Sequence, residues 1–98
     1  MYIVVAGGGK IGYYLIKTLL PYKHKLAVIE PQVDLCEKLA NELHIAVFNG
    51  DATDLDILAQ VEVDKADTFI AVTGRDEDNL IACQLVKRNY GVKRTVAR

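Results

Sequence analysis

Six residues near the start of the chain, Gly7-Gly8-Gly9-Lys10-Ile11-Gly12, carry the spacing best suited to chemistry. They break a short apolar run, Ile3-Val4-Val5-Ala6, and lead straight into a helix-like pattern. Eighteen residues beyond Gly12, a second apolar run, Leu26-Ala27-Val28-Ile29, ends on Glu30. A lone G-x-G-x-x-G is a weak signal. Strand, glycines, helix, strand and acid in that order form a dinucleotide-binding fingerprint. Gly7 allows the tight turn out of the strand, Gly9 lets the backbone approach a pyrophosphate, and Gly12 lets the helix pack closely on the sheet. First-turn amides without intrahelical partners, at the positive end of the helix dipole, make an anion site there. Lys10 adds a full charge, and the backbone through Ile11 belongs to the same cradle. Glu30 accepts hydrogen bonds from ribose hydroxyls and repels a 2′-phosphate, which favours NAD over NADP. The competing reading is a glycine-rich turn that holds nothing.

The rest of the chain has to place that motif at the end of a sheet. Strands are expected at Tyr2 to Ala6, Lys25 to Glu30, Ile45 to Asn49, Thr68 to Thr73 and Arg94 to Ala97. Their continuously apolar runs suit parallel strands covered on both faces. Helices are expected near Lys10 to Leu20, Gln32 to Leu43, Asp54 to Gln60 and Asp76 to Tyr90. Val33, Cys36, Leu39, Ala40 and Leu43 predict one buried stripe on the second helix. Leu80, Ile81, Leu85 and Val86 predict another on the last. Pro21 stops the first helix, and Gly91 supplies a left-handed cap after the last. Strict alternation of β and α gives the fold class: α/β, a Rossmann-like doubly wound parallel sheet in a single domain. About five strands are present where a full dinucleotide fold usually has six, so the chain reads as C-terminally truncated.

In such a sheet, ligands sit beyond the carboxyl ends of the strands. After the third strand come Asn49-Gly50-Asp51-Ala52-Thr53. Asp51 is placed to receive the exocyclic amine of adenine, and the backbone around Ala52 to meet the ring edge. The alternative is a turn in which Asp51 or Thr53 caps the next helix. After the fourth strand, Thr73 and Gly74 lie across the glycine turn near the ribose and phosphates. Arg75 suits a phosphate or an interface equally with solvent, and Asn79 suits either a ligand or a helix cap.

Composition excludes other classes. A 98-residue chain has room for one core, and 51% apolar content lets it fold. A net charge of −1 points to no general nucleic-acid or membrane-surface patch. Apolar runs are too short to span a bilayer. Cys36 and Cys83 lie in helix-like patterns without C-x-x-C spacing, as reduced residues of a cytosolic protein do. No Cys, His or carboxylate cluster has zinc-ligand spacing.

Taken together, these segments resemble a known family, the TrkA N-terminal domain, also called the KTN or RCK domain. The resemblance rests on Gly7 to Gly12, the strand ending at Glu30, Gly50-Asp51-Ala52-Thr53, Ala66 to Thr73, Asp76-Glu77-Asp78-Asn79-Leu80 and Val96-Ala97-Arg98. It implies that residues 1–98 are one cytoplasmic regulatory domain binding NAD(H), or ATP/ADP or AMP. It implies assembly as homo-oligomeric dimers within rings and a potassium transporter or channel subunit as partner, on the inner face of the membrane. On this resemblance Gly7, Gly9 and Gly12 hold the phosphates and Glu30 the ribose. Asp51 and Ala52 meet the adenine, Thr73 and Gly74 line the far side, and Arg98 lies near the ligand or the subunit contact. Two departures stand out. Pro31 follows Glu30 where relatives often continue with a polar or acidic residue, and the chain ends before the helix through which such domains commonly pair.

Two rivals remain at this level. The chain is too short to hold the substrate domain of an NAD-dependent oxidoreductase, of which it would be the cofactor-binding fragment, and no general acid or base stands out. A receiver domain would explain Asp51 after the third strand and Thr73 after the fourth. It needs an acidic magnesium cluster after the first strand, where this chain has Gly7-Gly8-Gly9-Lys10.

Overall fold

The computed structural model describes residues 1–98. Five strands form one sheet: β1 (Tyr2–Ala6), β2 (Lys25–Glu30), β3 (Ala46–Asn49), β4 (Thr68–Ala71) and β5 (Arg94–Ala97). Their order is β3-β2-β1-β4-β5, and every pair is parallel. The chain therefore winds outward through β2 and β3, returns beside β1 with β4, and winds outward the other way. The reversal falls between β1 and β4, so the loops leaving those two strands diverge and open a crevice.

Four helices cover the two faces: α1 (Lys10–Leu19), α2 (Val33–Leu43), α3 (Leu55–Gln60) and α4 (Asp76–Tyr90). Alternate strand residues face opposite ways. Ile3, Val5, Leu26 and Val28 meet Ile16 of α1 and Leu39 of α2. Val4, Ala6, Ala27, Ile29 and Phe69 meet Leu58 of α3 and Ala82, Cys83 and Val86 of α4. Both cysteines are free. No helix is long and apolar enough to cross a membrane.

Pro21 sits in a 3₁₀ turn, Leu20–Tyr22, just past α1, and Gly91 closes α4 in the left-handed conformation, both as expected. The two helix stripes need correction. Leu80 and Ile81 are 58% and 47% exposed. Val86 is buried as expected and Leu85 packs partly against the core, but the buried line of α4 otherwise runs through Asn79, Ala82 and Cys83. Small residues face inward there because the helix lies close on β4 and β5, and Leu80 and Ile81 are left outside. On α2 only Leu39 is fully buried, and Val33 and Ala40 face solvent. Strand β4 also stops short of the expected Thr73. Val72 still donates to the Ala6 carbonyl at 2.8 Å, but the Thr73 amide turns away to a side chain.

Candidate functional site

Gly7 makes the turn out of β1 at a φ of +110°, a value L side chains rarely adopt. A Cβ there would also stand 2.9 Å from the Thr73 nitrogen and 2.9 Å from the Val72 carbonyl oxygen. The glycine turn is thus packed edge to edge against the loop after β4. Gly9 is the N-cap of α1 and supplies no side chain to its first-turn amides. A Cβ at Gly9 would meet nothing within 4 Å. Those amides face open space, the arrangement in which a helix N-terminus accepts an anion.

Gly12 works differently from expectation. Its Cβ would lie 1.9 Å from the Gly7 carbonyl oxygen, so the close approach is to the glycine turn itself rather than to the sheet. It is buried beneath the loop and does not line the cleft.

Glu30 stands opposite, at the carboxyl end of β2, with 5% of its surface exposed. One carboxylate oxygen accepts from the Gly8 amide at 2.7 Å and the other from the Gln32 amide at 2.8 Å. Its backbone carbonyl accepts from the Asn49 side-chain amide at 3.0 Å and the Gly50 amide at 3.1 Å. The acid therefore ties the glycine turn to its own loop, and each oxygen keeps a further acceptor direction for a ligand hydroxyl.

Asp51 braces its loop without capping a helix. Its Oδ1 accepts from the Thr53 amide at 2.8 Å and the Thr53 hydroxyl at 2.7 Å. Asp54 caps α3 instead, accepting from the Asp56 amide at 2.9 Å. The Thr53 amide and hydroxyl hold the Asp51 carboxyl below its ordinary value, with help from the Arg75 guanidinium and against partial burial. A depressed carboxylate stabilises the loop above the pKa it has when unfolded, and loses that contribution as pH falls through the folded value. In a ¹³C NMR titration we expect an Asp51 midpoint below that of an unperturbed aspartate, moving up toward it in Thr53→Val.

On the β4 side, the Thr73 amide and hydroxyl donate to the Asn79 Oδ1 at 3.0 and 2.6 Å, and the Asn79 amide returns a bond to the Thr73 carbonyl at 3.2 Å. Asn79 is therefore neither an open ligand group nor the N-cap of α4, which is Arg75. Arg75 itself reaches Glu77 at 3.3 Å and Asp78 at 3.5 Å, and is mostly exposed. The Arg98 amide extends the β5 ladder to the Ala71 carbonyl at 2.9 Å.

One cleft of about 540 Å³ joins these loops. Gly7, Gly9, Lys10, Ile11, Glu30, Asp51, Ala52, Thr73, Gly74 and Arg98 all line it. Of the residues considered for the ligand, Gly12 and Asn79 lie outside. Gln32, Leu35, Val72 and Asp78 line it as well and were not anticipated. Gln32 and Leu35 follow Glu30 into the first turn of α2, so their place was implicit in that of the acid. The volume lies within the roughly 300–1,000 Å³ typical of small-molecule sites.

The sequence profile of the TrkA-N domain matches residues 3–98. The chain belongs to the TrkA-N family. A Trk system potassium uptake protein TrkA homolog from Methanothermobacter thermautotrophicus is 40% identical over 98 residues, which cover all of this chain and 45% of the relative. This TrkA-N domain thus spans less than half the length of that relative. Among solved structures, the GsuK channel bound to NAD superposes with a TM-score of 0.83 at 27% identity, over 95% of this chain and 17% of that one. The AMP-bound Kef CTD of Shewanella denitrificans superposes with a TM-score of 0.82 over 98% of this chain and 57% of the other. Its 18% identity makes it a likeness of fold alone.

Proposed function

We propose that residues 1–98 act as one nucleotide-sensing domain that binds NAD(H) in this cleft. The observation that carries the reading is the facing pair across the glycine turn: uncapped α1 amides on one side and the buried Glu30 carboxylate on the other. The first suits a pyrophosphate and the second a ribose diol. Gly7, Gly9, Lys10 and Ile11 hold the phosphates, with Gly12 supporting the turn from below. Asp51 and Ala52 meet the adenine. Thr73, Gly74 and Arg98 line the far half. A channel of the same fold bound to NAD supports the dinucleotide; ATP/ADP and AMP share the adenosine and phosphate groups that these loops suit and are proposed as related ligands.

The domain performs no reaction of its own. Asp51 is engaged by Thr53 and Arg75 by two acids, which leaves them poorly placed as a free acid or base. The names of the potassium-uptake relative and of the GsuK channel support a part in potassium transport. The role proposed within it is regulation of a potassium transporter or channel from the cytoplasmic face, within a homo-oligomer of the full protein. A ligand gates such a partner only by binding two conformations unequally.

Protein purified without added nucleotide, then denatured, is expected to release NAD(H) detectable by mass spectrometry. Release of no adenine nucleotide, with no binding at millimolar ligand, contradicts the reading. Glu30 also sets selectivity. Its charge opposes a 2′-phosphate, so NADP should bind about tenfold or more weakly than NAD in parallel calorimetric titrations.

A further inference from the structure

The fold buries three polar side chains, Glu30, Thr68 and Asn79, and Asn79 is the most completely enclosed. Burying a primary amide is unfavourable unless its donor and acceptor sites are satisfied. Here both are spent on a single residue. The Asn79 oxygen takes the Thr73 amide and hydroxyl, and its nitrogen donates to the Thr73 carbonyl. A primary amide offers an acceptor and a donor on two separate atoms, as the Thr73 amide and carbonyl require; aspartate keeps the acceptors and loses the donor. Thr73 is held at its backbone amide, its backbone carbonyl and its hydroxyl, with its nitrogen close against Gly7.

The cleft therefore has two separate polar fastenings. Glu30 ties the β2 loop to Gly8 and Gln32, and Asn79 ties the β4 loop to the first turn of α4. They share no hydrogen-bond partner. The β2 side carries the groups suited to an adenosine, and the β4 side lies across the glycine turn, where a second nucleoside of a dinucleotide must extend.

We propose that Asn79 is a specificity-determining positioning residue, which fixes Thr73 and Gly74 for the second half of a dinucleotide and leaves the adenosine half to Glu30. The inference rests on the nucleotide reading of the cleft. It is tested by measuring NAD and AMP affinities of the unmodified chain, Asn79→Asp and Asn79→Ala. NAD binding should weaken about tenfold in Asn79→Asp, the effect of one lost hydrogen bond of about 1.4 kcal/mol, and at least as much in Asn79→Ala, which loses all three, with AMP binding within about twofold of the unmodified chain in both. Equal weakening of both ligands, or of neither, overturns the inference. A second readout needs no variant to fold. In the unmodified chain the Asn79 side-chain amide and Thr73 backbone amide NMR signals should shift with NAD and hold still with AMP; equal shifts with both overturn it. If the unmodified chain binds neither nucleotide, the reading of the cleft itself fails and takes this inference with it.

Discussion

Gly12→Ala should collapse the glycine turn and lower the melting temperature by roughly 10–20 °C, the shift expected of about 2–3 kcal/mol in a domain this size. The added methyl would stand 1.9 Å from the Gly7 carbonyl oxygen and 2.9 Å from the carbon bearing it. Both are backbone atoms, so no rotamer relieves the overlap. Either α1 lifts away from the turn or the turn leaves β1. The first removes Ile16 from the core beneath it, and the second breaks the 2.8 Å bond from the Gly7 amide to the Ile29 carbonyl. Gly9→Ala is the matched control. A methyl there meets nothing, so a thermal melt followed by circular dichroism should barely move. Nucleotide affinity should fall nonetheless, because that open space is where a phosphate must approach the α1 amides. A stable Gly12→Ala protein contradicts the packing described for the turn.

Glu30→Ala should cut NAD affinity about a hundredfold and cost about 3 kcal/mol of stability, since hydrogen bonds to a charged group contribute roughly 1.5–3 kcal/mol each. Two effects combine. The ligand loses its ribose acceptor, and the Gly8 and Gln32 amides lose theirs, which loosens the turn from the far side. Glu30→Gln separates the two. It keeps the shape and one acceptor oxygen but points an NH₂ group at a backbone donor, so it should melt closer to the unmodified protein while still binding NAD poorly. Calorimetry and chemical denaturation measure the two quantities independently. Unchanged affinity in both variants removes Glu30 from the ligand.

How much of this was legible in the sequence depended on how local each signal was. The glycines, the apolar strand before them and Glu30 lie within one βαβ unit, and the register Ala6↔Ile29 brings the two strand ends together as the spacing implied. The doubly wound parallel class followed from alternation alone; the strand order came from the structure. The phase of α4 did not. Ala82 and Cys83 form one candidate stripe and Leu80 and Ile81 another, and periodicity favoured the larger residues. Close packing on the sheet chose the smaller ones. The role of Asn79 was hidden for a related reason, because its partner is set by where β4 ends. With the strand extended to Thr73, that residue's amide would belong to the ladder; with the strand ending at Ala71, it is free for a side chain. Asn49 is similar: its amide bridges the Glu30 and Pro31 carbonyls across two strands, a pairing no single segment encodes. Asp51 lines the cleft, and the alternative that Asp51 or Thr53 caps α3 does not hold, since Asp54 takes that position.

The central claim is that an adenine dinucleotide occupies the crevice at the carboxyl ends of β1, β2 and β4. A ¹⁵N–¹H NMR titration of the uniformly labelled chain with NADH tests it most directly. Saturable shifts should map to the amides of Gly7 to Ile11, Glu30 and Gln32, Asp51 to Thr53 and Thr73 to Arg75, with the base of the sheet around Lys25 and Arg94 unmoved. No saturable shift at millimolar NADH, or shifts centred anywhere else, contradicts the account.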